Sequence, residues 1–490
     1  MRGLACVLLS ALAAAAMPIV GNGCSGSSEP PRVAATVVVT PPSGSLTAVG
    51  ATLQFTALVR DQHGDALLNP TVEWSSSNAA AVRVSSSGLA AAAANGTAQV
   101  TATSGSASQG VSVTVAQAAA QLVLVSGDAQ GGTLGQALAQ PLVVQVNDAN
   151  AFPVQGVNVS FSVTAGGGTV GTPSAPTSAN GQAQSTWTLG PTAAAQTAMA
   201  SVSALPGATM TFNAGPYVAG QSYFGRNQYV EYIFGDLPVI VTAPHGGGLR
   251  PAEMPDRLVS DTLRDSNTQE LARAIDTAFG VATGHHPHVV MCRVHRVKLD
   301  CNRELAVAAM GDPEAAQAWN EFHAFIAEAK AAVVREQGRG LLIDVHGHGH
   351  TLQRLELGYL LSGNQLGLPD SVLDQANWLD SVSVRSLGVT PGRRLSAILR
   401  GPSSLGDLLA GRGYPSVPSG PDPAPAGTPY FSGGYNTETH GSRTGGTVSA
   451  VQIESNYTGV RDTPGARAAF AGAFVGAVRS YLATWLGLVT

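Results

Sequence analysis

The sequence predicts a multidomain chain: two all-β sandwiches followed by an α/β domain built on a mostly parallel or mixed sheet. Three observations carry that prediction. The chain has 490 residues, more than one domain usually holds. Gly, Ala, Ser, Thr and Val dominate its first half, in short runs of period two broken by turn residues. From about residue 217 helical periodicity appears, interleaved with short apolar runs.

The first elements are addresses rather than structure. Arg2 precedes an apolar stretch from Leu4 to Val20, then small residues, the layout of an export signal over residues 1–24. Cys24 follows "GNG" and precedes "SGSSEPP". This resembles a bacterial lipoprotein signal, which implies lipid on Cys24 and membrane attachment. Gly21 stands where such signals normally have leucine, and secretion without lipid is the alternative. The protein is thus expected to be exported, as an outer-membrane or cell-surface lipoprotein or otherwise as a secreted chain. No later segment reads as long and apolar enough to span a bilayer. Hydrophobic residues make up 44% and charged residues 12%, a mix suited to extracellular modules. The net charge of −5 and the lack of a basic cluster argue against nucleic acid as a partner. Cys6 goes with the signal, which leaves Cys292 and Cys301. Export permits a disulfide between them, but they flank a strand–loop junction whose geometry decides it.

After a linker at residues 25–34, residues 35–117 alternate as strands, with Leu53, Phe55, Ala57 and Val59 on one face and Trp74 as a candidate core anchor. The run "VEWSSSN…VRVSSSGLAAAAANGTAQVTAT" resembles a bacterial Ig-like domain of group 2. Residues 118–216, with "GVNVSFSVTAGGG" and "NGQAQSTWTLG", resemble the invasin-type, group 1 bacterial Ig-like domain. Both resemblances imply β-sandwiches serving as spacers or adhesive stalks.

Residues 217–490 hold the chemistry. Helices are predicted in "DSNTQELARAIDTAFG", "PEAAQAWNEFHAFIAEAKAAVVREQG" and "DTPGARAAFAGAFVGAVRSYLATWL". Between them, "LPVIVTAP" runs into His245 and three glycines, "GLLIDV" runs into His346, and "VSAVQI" ends at Glu454. Open α/β sheets bind ligands outside the carboxyl ends of their strands, so these three endings mark a candidate metal site. Of eleven histidines only His63 precedes residue 245, and three crowd into "GLLIDVHGHGH". On an extended chain His346, His348 and His350 share one side, yet three adjacent ligands to one ion would strain. His346, nearest the strand end, is therefore the candidate ligand, with Asp344 placed to orient its ring. His348 is expected to line the site or donate a proton, and His350 to sit at its mouth. Asp265 opens a helix in "RDSNTQELA", either as an N-cap or as the carboxylate completing a His–Asp–His zinc site. Glu253, Asp261 and Glu270 are the alternatives to it.

The ordered set "PHGGG", "RDSNTQELA", "KLDCNRE", "DVHGHG" and "VQIES" resembles the N-formylglutamate amidohydrolase-like family, related in fold to zinc carboxypeptidases and aspartoacylases. The resemblance spans about residues 237–480. It implies a zinc-dependent hydrolase of amide bonds, with metal ligation at His245, Asp265 and His346. It also implies a carboxylate-binding Arg303 and a catalytic Glu454. The sequence departs from the family at "HGHGH", where serine commonly follows the first histidine, and in the specialised stretch 401–446. Chemistry agrees with these roles. Zinc lowers the pKa of bound water to about 7 and polarises a carbonyl. Glu454 can shuttle the proton, and Arg303 can clamp a carboxylate bidentately. His440 and Arg443 in "TETHGSRTGG" are candidate substrate contacts.

The expected function is an exported zinc amidohydrolase acting on an N-acyl amino acid or peptide-like substrate with a free carboxylate, displayed on an Ig-like stalk. The alternative is a cell-surface adhesion or binding protein with an inactive C-terminal domain.

Overall fold

The period-two runs of the first module become strands in the computed structural model. It describes residues 31–259 and 261–490, so the signal segment and Cys24 lie outside the described residues. The chain divides into two compact units, one ending at Gln117 and one beginning at Ala118.

The first unit is a β-sandwich. One sheet orders Ser43–Leu46, Ala107–Val115, Gly96–Ser104 and Glu73–Ser76, and another orders Thr52–Gln54, Leu89–Ala92 and Val82–Val84. Inward residues such as Phe55, Val59, Val100 and Val113 are buried, so the alternation drives the fold. Trp74 is only partly buried and packs at the edge of this core, with its ring 6.3 Å from that of Phe55.

The second unit starts with another sandwich, in which Trp187, Leu142 and Phe212 are fully buried. Hydrogen bonds tie this sandwich to the rest of its unit. Gln140 Nε2 donates to the Phe224 carbonyl at 2.9 Å, and Thr133 Oγ1 donates to Glu328 at 2.8 Å.

The C-terminal domain is an eight-stranded mixed sheet with helices on both faces. Its strands are β1 Ser222–Phe224, β2 Val230–Ile233, β3 Val239–Ala243, β4 His288–Cys292, β5 Gly340–Gly347, β6 Leu355–Gly358, β7 Ser416–Val417 and β8 Val448–Ser455. Their order is β1-β2-β4-β3-β5-β8-β6-β7. The centre, β4-β3-β5-β8, is parallel throughout, and antiparallel pairing sets in on either side of it, between β2 and β4 and between β6 and β8. Parallel strands covered on both faces must be apolar nearly throughout, and β3, β4 and β5 are buried along almost their whole length.

The three main helices are α1 Thr268–Thr283, α2 Pro313–Gln337 and α4 Pro464–Leu486, with the short α3 Tyr435–His440 between the last two. Helix α2 starts where Asp312 accepts from the Ala315 amide at 2.8 Å, with proline at its first turn, and stops at Gly338 in the left-handed region. Its Phe322, Phe325 and Ile326 pack on one sheet face with Ile240 and Leu342. Leu271 and Ile275 of α1 and Phe470, Phe474 and Tyr481 of α4 cover the other with Val241, Ile343 and Val451. Contrary to expectation, α4 is long and apolar enough in composition to cross a membrane. Its apolarity is used in the core, where ten of its residues are buried. Cys292 and Cys301 are free thiols, both buried in the α2-side core.

His288, at the start of β4, is 1% exposed. Its Nδ1 accepts from the Tyr232 hydroxyl at 2.8 Å and from the Gly235 amide at 3.2 Å, so the fold holds the neutral ring. Burial pulls its pKa down to about 3. A neutral buried histidine contributes its full stability above the unfolded pKa near 6.5 and loses it as pH falls toward the folded value. Across that window the unfolded chain binds one more proton at this site, worth about 1.4 kcal/mol per pH unit. Denaturant melts at about pH 6 and pH 4.5 should therefore show a flatter loss of stability in His288→Gln than in the unaltered chain. Equal slopes would remove His288 from the acid sensitivity.

Candidate metal centre

Strands β3, β5 and β8 lie side by side and run the same way, so their carboxyl ends open on one crevice. His245 stands two residues past β3, while His346 and Glu454 are directly paired across β5 and β8. Alternation puts Thr242, Asp344, His346 and Glu454 on the α2 side of the sheet, while Ile343, Val345, Val451 and Ile453 fill the opposite core.

The third component comes from the turn before α1. Asp265 does not cap that helix. Asn267 is the N-cap residue, it makes no side-chain cap bond, and its amide donates instead to the Arg461 carbonyl at 2.9 Å. The Asp265 carboxylate turns to the sheet. Its Oδ2 lies 3.5 Å from His245 Nδ1 and 3.2 Å from His346 Nδ1, and it accepts from the Gly347 amide at 3.1 Å. The two imidazoles meet edge to face with centroids 4.7 Å apart.

The far side of each ring decides what the near side can do. His245 Nε2 is 2.7 Å from Asp300 Oδ1, and His346 Nε2 is 2.8 Å from Asp344 Oδ2. Both carboxylates are completely buried and are held ionised, Asp300 by His245 and Arg296, Asp344 by His346 and Thr242, against the burial that opposes their charge. Each Nε2 therefore carries a proton and donates it. The carboxylate outcompetes the Asn302 amide nitrogen, which is 3.3 Å from His346 Nε2. In neutral rings both Nδ1 atoms are then bare lone pairs aimed at the same carboxylate oxygen. Three acceptors facing one another repel unless a positive charge stands between them. Burial works against a charge on either ring, yet the surrounding carboxylates raise the pKa of both histidines.

The wider charge balance agrees. Asp265, Asp300, Asp344, Glu356 and Glu454 are all nearly or fully buried around the crevice. Against them stand the buried Arg257 and Arg461 and the nearly buried Arg296. Five carboxyl groups thus crowd around the crevice beside three guanidinium groups. One donor atom from each of His245, Asp265 and His346 lies within 4.8 Å of the others, a spread that a single ion can draw together. Two imidazoles and a carboxylate, each imidazole backed by a second carboxylate, form a donor set that fits zinc.

Glu454 is 6% exposed and accepts from Gln452 Nε2 at 3.1 Å. Burial, reinforced by Asp265 and Glu356, pushes its pKa up to about 7, with His346 and His245 opposing. Two glycines make room. A Cβ on Gly347 would sit 2.2 Å from the Arg461 guanidinium carbon, and one on Gly247 would meet the Val294 carbonyl oxygen at 2.3 Å. The first lets Arg461 pass beneath the β5 end, where it donates to the Ser455 carbonyl at 3.2 Å and to the Ser266 and His348 carbonyls.

Several expected residues stand elsewhere. Arg303 is exposed and lies 3.3 Å from Asp261, which also pairs with Arg296 at 2.6 Å. No carboxylate clamp is therefore preformed there. His440 is buried, with Nε2 2.8 Å from His323 Nδ1 on α2, and burial drives its pKa down to about 3. It packs helix α3 onto α2. Arg443 is a surface residue bonded to Glu438 at 2.8 Å. His348 and His350 do not extend the row begun by His346, because β5 ends at Gly347 and the chain turns. Of the alternatives to Asp265, Glu253 bonds to Tyr229, Asp261 pairs with arginines, and Glu270 is exposed. Asp300 and Asn302 were missed as site residues although "KLDCNRE" contains both. Their signal was an acid and an amide two positions apart, alternating with Leu299 and Cys301. Arg461 in "YTGVRDTPG" gave none.

A family model described as bacterial Ig-like domain (group 2) matches residues 33–115. No curated protein matches the chain. Among solved structures, domains 4 and 5 of the S-layer protein SbsC are similar over 38% of this chain and 98% of that one, at 16% identity and a TM-score of 0.20. The Yersinia pseudotuberculosis adhesin InvE is similar over 41% of this chain and 67% of that one, at 19% identity and a TM-score of 0.22. The D00-D0 domain of intimin is similar over 36% and 96%, at 14% identity and a TM-score of 0.20. At such TM-scores these likenesses carry no argument about function. Residues 33–115 are a bacterial Ig-like domain of group 2, by the family model that matches them.

Proposed function

We propose that residues 217–490 are a zinc-dependent amidohydrolase related to the N-formylglutamate amidohydrolase-like family. It would cleave an amide bond of an N-acyl amino acid or peptide-like substrate, in an exported chain whose Ig-like modules display it. The observation that carries this reading is the convergence of His245 Nδ1 and His346 Nδ1 on Asp265 Oδ2, at 3.5 and 3.2 Å. His245, Asp265 and His346 would hold the metal, which supplies Lewis acidity toward water and the scissile carbonyl at neutral pH.

The chain's own groups do the rest. Asp300 and Asp344 fix both rings in the ligating tautomer and raise their basicity. Glu454, across the strand pair from His346, would take the proton of the attacking water and return it to the leaving nitrogen. Its buried position keeps it weakly basic near neutrality, as a shuttle requires. Arg303, with its exposed guanidinium bonded only to an exposed aspartate among its ion pairs, is free to swing onto a substrate carboxylate.

A second reading is favoured by the one matching family model. The group 2 Ig-like module suits a surface binding protein whose C-terminal domain no longer turns over. The two readings part on catalysis. The purified chain reloaded with zinc should hydrolyse members of a panel of N-acyl amino acids and short peptides. No turnover of any member, with zinc bound, would leave the binding reading.

His245→Ala and His346→Ala should each abolish tight zinc binding at this centre along with activity, as read by metal analysis after dialysis. Retention of that zinc in either variant would reassign the ligand. Glu454→Gln keeps size and hydrogen bonding but loses the base. Its turnover should fall by at least about 100-fold with zinc content unchanged. Unchanged turnover would take Glu454 out of the mechanism, and lost zinc would make it a ligand.

A further inference from the structure

We propose that His348, His350 and Glu356 form a second divalent-cation site, distinct from the centre at His245, Asp265 and His346. One donor atom from each of the three lies within 4.8 Å of the others. The donors come from the loop leaving β5 and from the strand β6 beside it.

Each donor is oriented from behind. His348 is 4% exposed, and its Nε2–H donates to the Arg354 carbonyl at 2.8 Å. The lone pair is thereby left on Nδ1, where its partner is the His350 backbone amide at a longer 3.1 Å. Glu356 is 1% exposed, and its Oε2 accepts from the Phe431 amide at 2.9 Å. That leaves Oε1 facing His350 Nδ1 at 2.7 Å. The His350 ring lies flat on Phe431, with centroids 4.9 Å apart and planes 7° from parallel. Backing of this kind, by a carbonyl, an amide and an aromatic face, holds metal-ligating side chains in place.

Charge gives the second argument. Glu356 and Glu454 are direct partners in the antiparallel pairing of β6 and β8. Like charges set directly across two strands repel, and here both are nearly out of reach of water. Among the described residues no lysine or arginine pairs with Glu356. Its ion-pair partner is His350, whose Nδ1 lies 2.7 Å from Oε1. A divalent ion at this point would meet two imidazole nitrogens and Oε1, a donor set suited to zinc and its neighbours.

The two sites do not form a cocatalytic pair. His346, Glu454 and Glu356 are in register on three successive strands. Two strand spacings separate the His346 and Glu356 backbones by about 10 Å, against about 3.5–4 Å between the ions in two-metal catalysis. The second ion would instead fasten the loop leaving β5 to β6, beside the first centre.

Metal counting on the full chain tests this. The protein is stripped with a chelator, reloaded with zinc, desalted and analysed. The unaltered chain should hold about two zinc ions. His350→Ala and Glu356→Gln should each hold about one, as should His346→Ala, and the double variant His346→Ala, His350→Ala should hold none. His350→Gln is the conservative check: it should also lose one ion while the near-ultraviolet dichroism of the fold is kept. A single ion in the unaltered chain that survives both His350→Ala and Glu356→Gln would overturn the second site and leave the first centre standing. An ion that survives His346→Ala and leaves with His350→Ala would support the second site even if the first centre failed.

Discussion

Two imidazole protons govern the C-terminal domain. Asp300 accepts one from His245 Nε2 and Asp344 accepts the other from His346 Nε2, and both carboxylates are fully buried. With the outer nitrogens committed, the inner ones of neutral rings point at Asp265 as lone pairs. An arrangement of three acceptors is stable only around a cation. The surroundings are built to the same end: Thr242 and Asn436 bond to Asp344, the Asn302 amide and Arg296 bond to Asp300, and the Gly347 amide bonds to Asp265. Loss of one buried carboxylate would free a ring to change tautomer, so the centre depends on groups that would never touch the ion.

The sheet supplies the precision. Because β3, β5 and β8 are adjacent and parallel, three distant stretches of sequence end together, and strict alternation sends their polar residues to one face while aliphatic residues fill the other. The antiparallel return of β6 then brings Glu356 opposite Glu454. One row across the sheet thus carries His346, Glu454 and Glu356. Helix α1 contributes through the turn before it, and α2 closes the polar face with a long apolar side.

Much of this was legible in the sequence, for physical reasons that differ by residue. His245, His346 and Glu454 announced themselves because each interrupts an apolar run at the point where a parallel strand must end. Asp344 was legible as a backing carboxylate because it lies two residues before His346, on the same strand face. Asp265 stayed ambiguous because a helix cap and a metal ligand use the same residue types at the same place. Only the observed turn, with Asn267 at the cap position, separates them. Asp300 and Arg461 act through contacts with residues 55 and 113 positions away, which local patterns cannot report. The alternate spacing of His346, His348 and His350 suggested one shared face, and it misled because the strand stops at Gly347.

The most direct test of this account is a crystal structure of the zinc-loaded chain with anomalous data at the zinc edge. The account predicts an anomalous peak bounded by His245 Nδ1, His346 Nδ1 and an Asp265 oxygen, at about 2.0–2.2 Å from each. The Nε2 contacts to Asp300 and Asp344 should be unchanged. No peak there at saturating zinc, with both imidazoles still hydrogen-bonded to Asp265, would mean that protons fill the role assigned to the metal, and the hydrolase reading would fall with it.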